Sequence, residues 1–152
     1  MYSRILVPLD GSDRDAAVLP HVKELARALG ARVVLVRAVT PVPVALRESA
    51  SPVAPELSFD TAKRRVENER QAAESALARV RSDLEAAGVS ASVEVVEGEP
   101  AHAILELARS TEAALVCMGT RARGALGQLI LGSVANTVVR DATVPVLLVH
   151  AA

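Results

Sequence analysis

The sequence predicts an α/β domain on an open parallel sheet of five strands, with helices on both faces. Three observations carry that expectation. Five short apolar runs alternate with helical stretches, the pattern of strand–helix–strand units joined by right-handed crossovers. Four of the runs are apolar nearly throughout, as strands buried on both faces are. The remaining run, Ser92-Val93-Glu94-Val95-Val96, alternates, with Val93 and Val95 on one face and Ser92 and Glu94 on the other, which marks an edge strand. An edge position for the third run gives the order 3-2-1-4-5.

The runs are Ile5-Leu6-Val7, Val33 to Val36 extending through Val39, Ser92 to Val96, Ala114 to Met118, and Val144 to Val149. The first helix opens at Ser12 with Asp15 three residues on, a pattern like a capping box, and ends at Gly30. Pro20 inside it predicts a kink or break between Ala16 and Pro20. The second helix is expected from Ser58 to Ala87, with Val66, Ala73, Leu77, Val80 and Leu84 on one face and Gly88 as its stop. The third begins at Pro100, a favoured first helical position, and carries Ile104, Leu105, Leu107 and Ala108. The fourth starts at Ser133 and runs through Val134, Thr137, Val138 and Val139. Pro41 to Pro55, with four prolines, is expected to be a solvated connection; a flap over the site is the functional alternative.

A length of 152 residues suits one domain covering 1–152. With 17 basic and 18 acidic side chains, no charge bias points to nucleic acid or a membrane. One Phe, one Tyr and no Trp leave no stacking platform for single strands. The single Cys117 excludes an internal disulfide framework and a cysteine-rich zinc site, and it is expected to be an inert core thiol. There is no signal-peptide pattern, and no apolar run nears ~18 residues. A cytoplasmic protein is the expectation.

In the order 3-2-1-4-5 the crevice between the first and fourth strands is the switch point, where open α/β sheets bind ligands. Two unusual loops leave those strands at their C-terminal ends. Pro8-Leu9-Asp10-Gly11-Ser12 follows the first, and Asp10 is either a hydrogen-bond acceptor for a ribose diol or a residue that shapes the turn; Ser12 is read as a helix cap. The second loop runs from Gly119 through Arg121 and Arg123 to Gly132-Ser133 at the next helix start. Glycine permits close approach of a ligand to the backbone, and free amides at a helix start favour an anion. Together they predict a phosphate-bearing small molecule, a nucleotide foremost. No G-x-x-x-x-G-K-[ST], G-x-G-x-x-G or G-x-S-x-G motif accompanies them. His21 on the first helix, His102 in the first turn of the third and His150 past the last strand make no site. Arg140 and Asp141 read as solvated. No base–nucleophile pair or carboxylate pair is evident, so catalytic residues are not expected.

From Ile5-Leu6-Val7-Pro8-Leu9-Asp10-Gly11-Ser12 to Val144-Pro145-Val146-Leu147-Leu148-Val149 the chain resembles the universal stress protein family. The ATP-binding branch carries G-x2-G-x9-G-[ST] after the fourth strand. Here that pattern falls on Gly119, Ala122, Gly132 and Ser133, with alanine in place of the second glycine. The resemblance implies a Rossmann-like fold of the adenine nucleotide alpha hydrolase-like type. It also implies adenosine held by Pro8, Asp10 and Ala38 or Val39, with ribose and phosphates held by Met118, Gly119, Ala122, Gly132 and Ser133, Val134 beside them. ATP or another adenine nucleotide would be the ligand, with Mg2+ as a companion and no metal held by protein side chains. It further implies homodimers built on the fifth strand, Val144 to Val149, and a role in stress survival. Two functions follow: a nucleotide-binding sensor or regulator, which is preferred, and a dimeric interaction protein of the same fold that binds no nucleotide. An enzyme hydrolysing the nucleotide would need a placed base or a carboxylate pair, and neither is seen.

Overall fold

In the computed structural model residues 1–49, 55–121 and 131–151 are described. Five parallel strands, β1 (Arg4–Pro8), β2 (Arg32–Val39), β3 (Ala91–Glu97), β4 (Leu115–Arg121) and β5 (Val146–Ala151), form one sheet in the order β3-β2-β1-β4-β5. The order is the expected one, and the alternating third run is at the edge. His150 lies within β5, paired with Thr120, rather than beyond the strand. The helices are α1 (Asp13–Leu29), α2 (Val42–Ser49), α3 (Pro55–Ala86), α4 (Pro100–Ser110) and α5 (Ser133–Asp141).

Side chains alternate across each strand, so each strand contributes to two cores. On one face Ile5, Val7, Val33, Leu35, Leu115 and Cys117 pack with Val18, Val22 and Ala26 of α1 and Leu77 and Leu84 of α3. On the other, Leu6, Val34, Val36, Val116 and Met118 meet Ala101, Ile104 and Ala108 of α4 and Ala135 and Val138 of α5. Aliphatic residues supply both layers. Cys117 is fully buried, and burial pushes its thiol up to about 11, so it stays protonated at neutral pH.

Two expectations fail here for local reasons. α1 runs without a break through Pro20. Pro20 is exposed, which leaves the carbonyl it cannot pair open to water, while buried Val18, Val22 and Ala26 hold both halves of the helix on the sheet. The segment after Pro41 contains a helix rather than a solvated connection. The Pro41 carbonyl accepts from the Val44 and Ala45 amides, both at 3.0 Å, and Pro43 sits in the first turn, where an amide would go unpaired anyway. Ala45 is fully buried against Ala62 and Val66 of α3. Residues 50–54, including Pro52, lie outside the described residues.

Candidate functional site

The C-terminal ends of β1, β2 and β4 open into a cleft of about 250 Å³ at the switch point. Six elements wall it. Pro8, Leu9 and Asp10 come from the end of β1, Val36, Arg37 and Ala38 from β2, and Met118 and Gly119 from β4. The first turns of the helices add Arg14 and Asp15 from α1, Pro100 and Ile104 from α4, and Gly132 to Ala135 from α5. Val36, Ala38, Ile104 and Met118 make one apolar side, and Asp10, Arg14, Asp15 and Arg37 make a polar one.

The turn after β1 is held by its own carboxylates. Asp10 Oδ1 accepts from the Ser12 amide (3.0 Å), and Asp10 Oδ2 pairs with Arg14 Nη2 (2.5 Å). Asp15 turns back over the loop to accept from the Gly11 amide (2.8 Å) and the Asp10 amide (3.3 Å). Arg37 closes the set, with Nε on the Leu9 carbonyl (3.0 Å) and Nη2 at 4.0 Å from Asp15. Ser12 occupies the N-cap position of α1, but its side chain caps no amide; its Oγ accepts from Arg14 Nε (3.0 Å). The capping-box expectation therefore fails, because Asp10 already takes the Ser12 amide and Asp15 reaches further back.

The charges follow from this geometry. Burial pushes the Asp10 carboxyl up, but the hydrogen bonds from Ser12 and the Arg14 charge outweigh it and hold the group below its usual value. Asp10 is thus an ionised acceptor at neutral pH. Asp15 is pushed up, by burial and by the neighbouring Asp10 charge, against the opposing amides and Arg37.

The two glycines at the cleft have different origins. At Gly119 a Cβ would stand 2.6 Å from the Arg14 carbonyl oxygen and 2.9 Å from Arg14 Cβ. That glycine is needed for α1 to cross β4 closely. Gly132, the N-cap of α5, has φ −60° and ψ 161°, which any residue adopts. Among the described residues the nearest atom to a Cβ there is Arg14 Nη1, at 3.9 Å. Neither backbone strain nor packing explains its missing side chain. Among the described residues no side chain caps the α5 N-terminus, so its first amides face the cleft without a capping oxygen from them. Such an end suits an anion.

Of the residues expected at the site, Pro8, Asp10, Ala38, Met118, Gly119, Gly132, Ser133 and Val134 all line the cleft. Val39 does not. Alternation turns it away from Ala38, it is 1% exposed, and its carbonyl accepts from the Gly98 amide (3.1 Å). Ala122 and Arg123 lie outside the described residues, and Arg121 is exposed at the end of β4. Leu9, Arg14, Asp15, Val36, Arg37, Pro100, Ile104 and Ala135 line the cleft without having been expected there. Arg37 alone left a signal, as a charge interrupting an otherwise apolar strand. Among the described residues no group of three or more His, Cys, Asp or Glu converges on a metal position, and no helix is long and apolar enough to cross a membrane. His21, His102 and His150 are exposed and do not line the cleft.

The chain matches the model of the Universal stress protein family over residues 1–150. It belongs to the universal stress protein family. A universal stress protein of Thermus aquaticus, from the QAH/OAS sulfhydrylase 3'region, is 39% identical over 151 residues, 99% of this chain and 100% of that protein. Among solved structures, hypothetical protein MJ0577 superposes with a TM-score of 0.78 at 26% identity, covering 100% of this chain and 98% of that one. A universal stress protein crystallised in complex with cAMP shares the fold, with a TM-score of 0.65 at 24% identity over 99% of this chain and 98% of the other. The Rossmann-like architecture of this universal stress protein family member agrees with that of its neighbours.

Proposed function

We propose that the cleft binds an adenine nucleotide and that the protein is a stress-response sensor or regulator acting through that binding, without turnover. The observation that carries the reading is Gly132. A helix start that no described side chain caps carries a glycine that neither its backbone angles nor the described residues require, opposite an ionised carboxylate. The phosphate belongs at the Gly132 and Ser133 amides. The ribose diol belongs at Asp10, an acceptor-only group. The base lies against the apolar side formed by Val36, Ala38, Ile104 and Met118. That a protein of the same fold binds cAMP supports an adenine ligand. Mg2+, where present, arrives on the phosphates of ATP, since it favours phosphate and water oxygens over protein cages. The assembly is a homodimer through β5.

Calorimetry with AMP and ATP tests the reading. Asp10→Ala is expected to weaken binding about tenfold, the loss of a charge-assisted hydrogen bond. Gly132→Val is expected to weaken it more, by filling the space in front of the amides, while changing stability by only about 1 kcal/mol. An unmodified protein that shows neither heat nor competition with any adenine nucleotide at millimolar concentration contradicts the reading. The same result would favour the alternative, an interaction protein without a nucleotide.

A further inference from the structure

The guanidinium of Arg14 has three edges in three environments. Nε donates to Ser12 Oγ at 3.0 Å, and Nη2 pairs with Asp10 Oδ2 at 2.5 Å. Nη1 has no hydrogen-bond partner among the described residues, and it is the atom nearest the open side of Gly132. One cation therefore spans the cleft from the carboxylate after β1 to the start of α5. Its backbone is fixed, because the Arg14 carbonyl and Cβ are wedged against Gly119. Only side-chain rotation can move the charge.

Arg14 occupies an acceptor that a ribose would use. A neutral nucleoside that takes the place of Arg14 on Asp10 Oδ2 leaves that edge of the guanidinium unpaired, with only Nε still held by Ser12 Oγ. A phosphorylated nucleoside places an anion at the α5 start, beside Nη1. The pair being broken is partly exposed, with 31% of the Arg14 side chain and 54% of the Asp10 side chain accessible, so it opposes the exchange weakly. The incoming pair is stronger, since a guanidinium meets phosphate with two parallel hydrogen bonds. Arg37 does not serve the same purpose, because its Nε is engaged with the Leu9 carbonyl and its Nη2 faces Asp15.

We infer that Arg14 makes the site selective for phosphorylated nucleosides: it covers Asp10 in the free protein and moves to the phosphate when a nucleotide enters, releasing Asp10 to the sugar. The inference rests on the adenine-nucleotide reading of the cleft. Titrations with adenosine and AMP in metal-free buffer test it on the unmodified protein, Arg14→Ala and Arg14→Lys. Both variants keep the Cβ that packs on Gly119. Arg14→Ala is expected to weaken AMP about tenfold or more while adenosine binds equally well or better, so the preference for AMP collapses. Arg14→Lys restores part of it, because it keeps the charge without the fork. Equal weakening of both ligands, as loss of a merely structural pair would cause, overturns the inference. So does an AMP preference that survives in Arg14→Ala, and in that case the nucleotide reading itself stands. If neither ligand nor any other adenine nucleotide binds the unmodified protein, both fall together.

Discussion

A Cβ at Gly119 would collide with the Arg14 backbone, whereas one at Gly132 would meet nothing closer than 3.9 Å among the described residues. In the sequence the two glycines look alike, since each adjoins a strand end or a helix start. The structure separates a packing glycine from one left open at the cleft. Gly119→Ala is therefore expected to destabilise the fold by about 1–3 kcal/mol, the usual cost of overpacking. Gly132→Ala should stay within about 1 kcal/mol. Urea unfolding, read as a shift in midpoint at unchanged slope, checks both. Equal midpoints for Gly119→Ala and the unmodified protein would contradict this account. Asp10 and Pro8 were legible in the sequence because they directly follow the first strand. Arg14 was not, since an arginine in a first helical turn reads the same whether it faces solvent or a cleft. Val36 and Ile104 were hidden for the opposite reason. Their apolar periodicity marks them as core, and only the assembled sheet shows that they stand where the core opens.

At the scale of elements, the strand order followed from one alternating run, Ser92 to Val96, because only a strand exposed on one face tolerates Ser92 and Glu94 in register. The helix α2 was not legible. Its prolines argue against a helix when counted, but Pro41 precedes the helix and Pro43 falls in its first turn. What stabilises α2 is the contact of Ala45 with Ala62 and Val66, far along the chain. Ala45→Asp would bury an unpaired carboxylate there, at a cost above that of a neutral unpaired group, about 1–3 kcal/mol. Amide exchange is then expected to quicken within α2 while β1 stays protected. Unchanged exchange in α2 would show that the contact is not what holds it.

For the whole molecule, the two sheet edges differ. β3 carries the polar Ser92 and the charges of Glu94 and Glu97, which discourage further pairing. β5 reads Val-Leu-Leu-Val before His150, and its four apolar side chains are only partly covered by the two cores. An uncharged, half-covered edge of this kind invites a second copy about a two-fold axis. Val146→Lys combined with Leu148→Lys should give monomer or insoluble protein in sedimentation. An unmodified chain that sediments as a well-behaved monomer at roughly tens of micromolar, where protomer concentration favours association, would reject the dimer.

The proposed ligand is an adenine nucleotide in the crevice between β1 and β4, with its phosphate at the start of α5. Amide chemical-shift mapping during an AMP titration tests it most directly. Saturable shifts are expected at Asp10, Ala38, Gly132, Ser133 and Val134, and they should vanish in Gly132→Val. An absence of shifts up to millimolar AMP and ATP, or shifts clustered away from these residues, would contradict it.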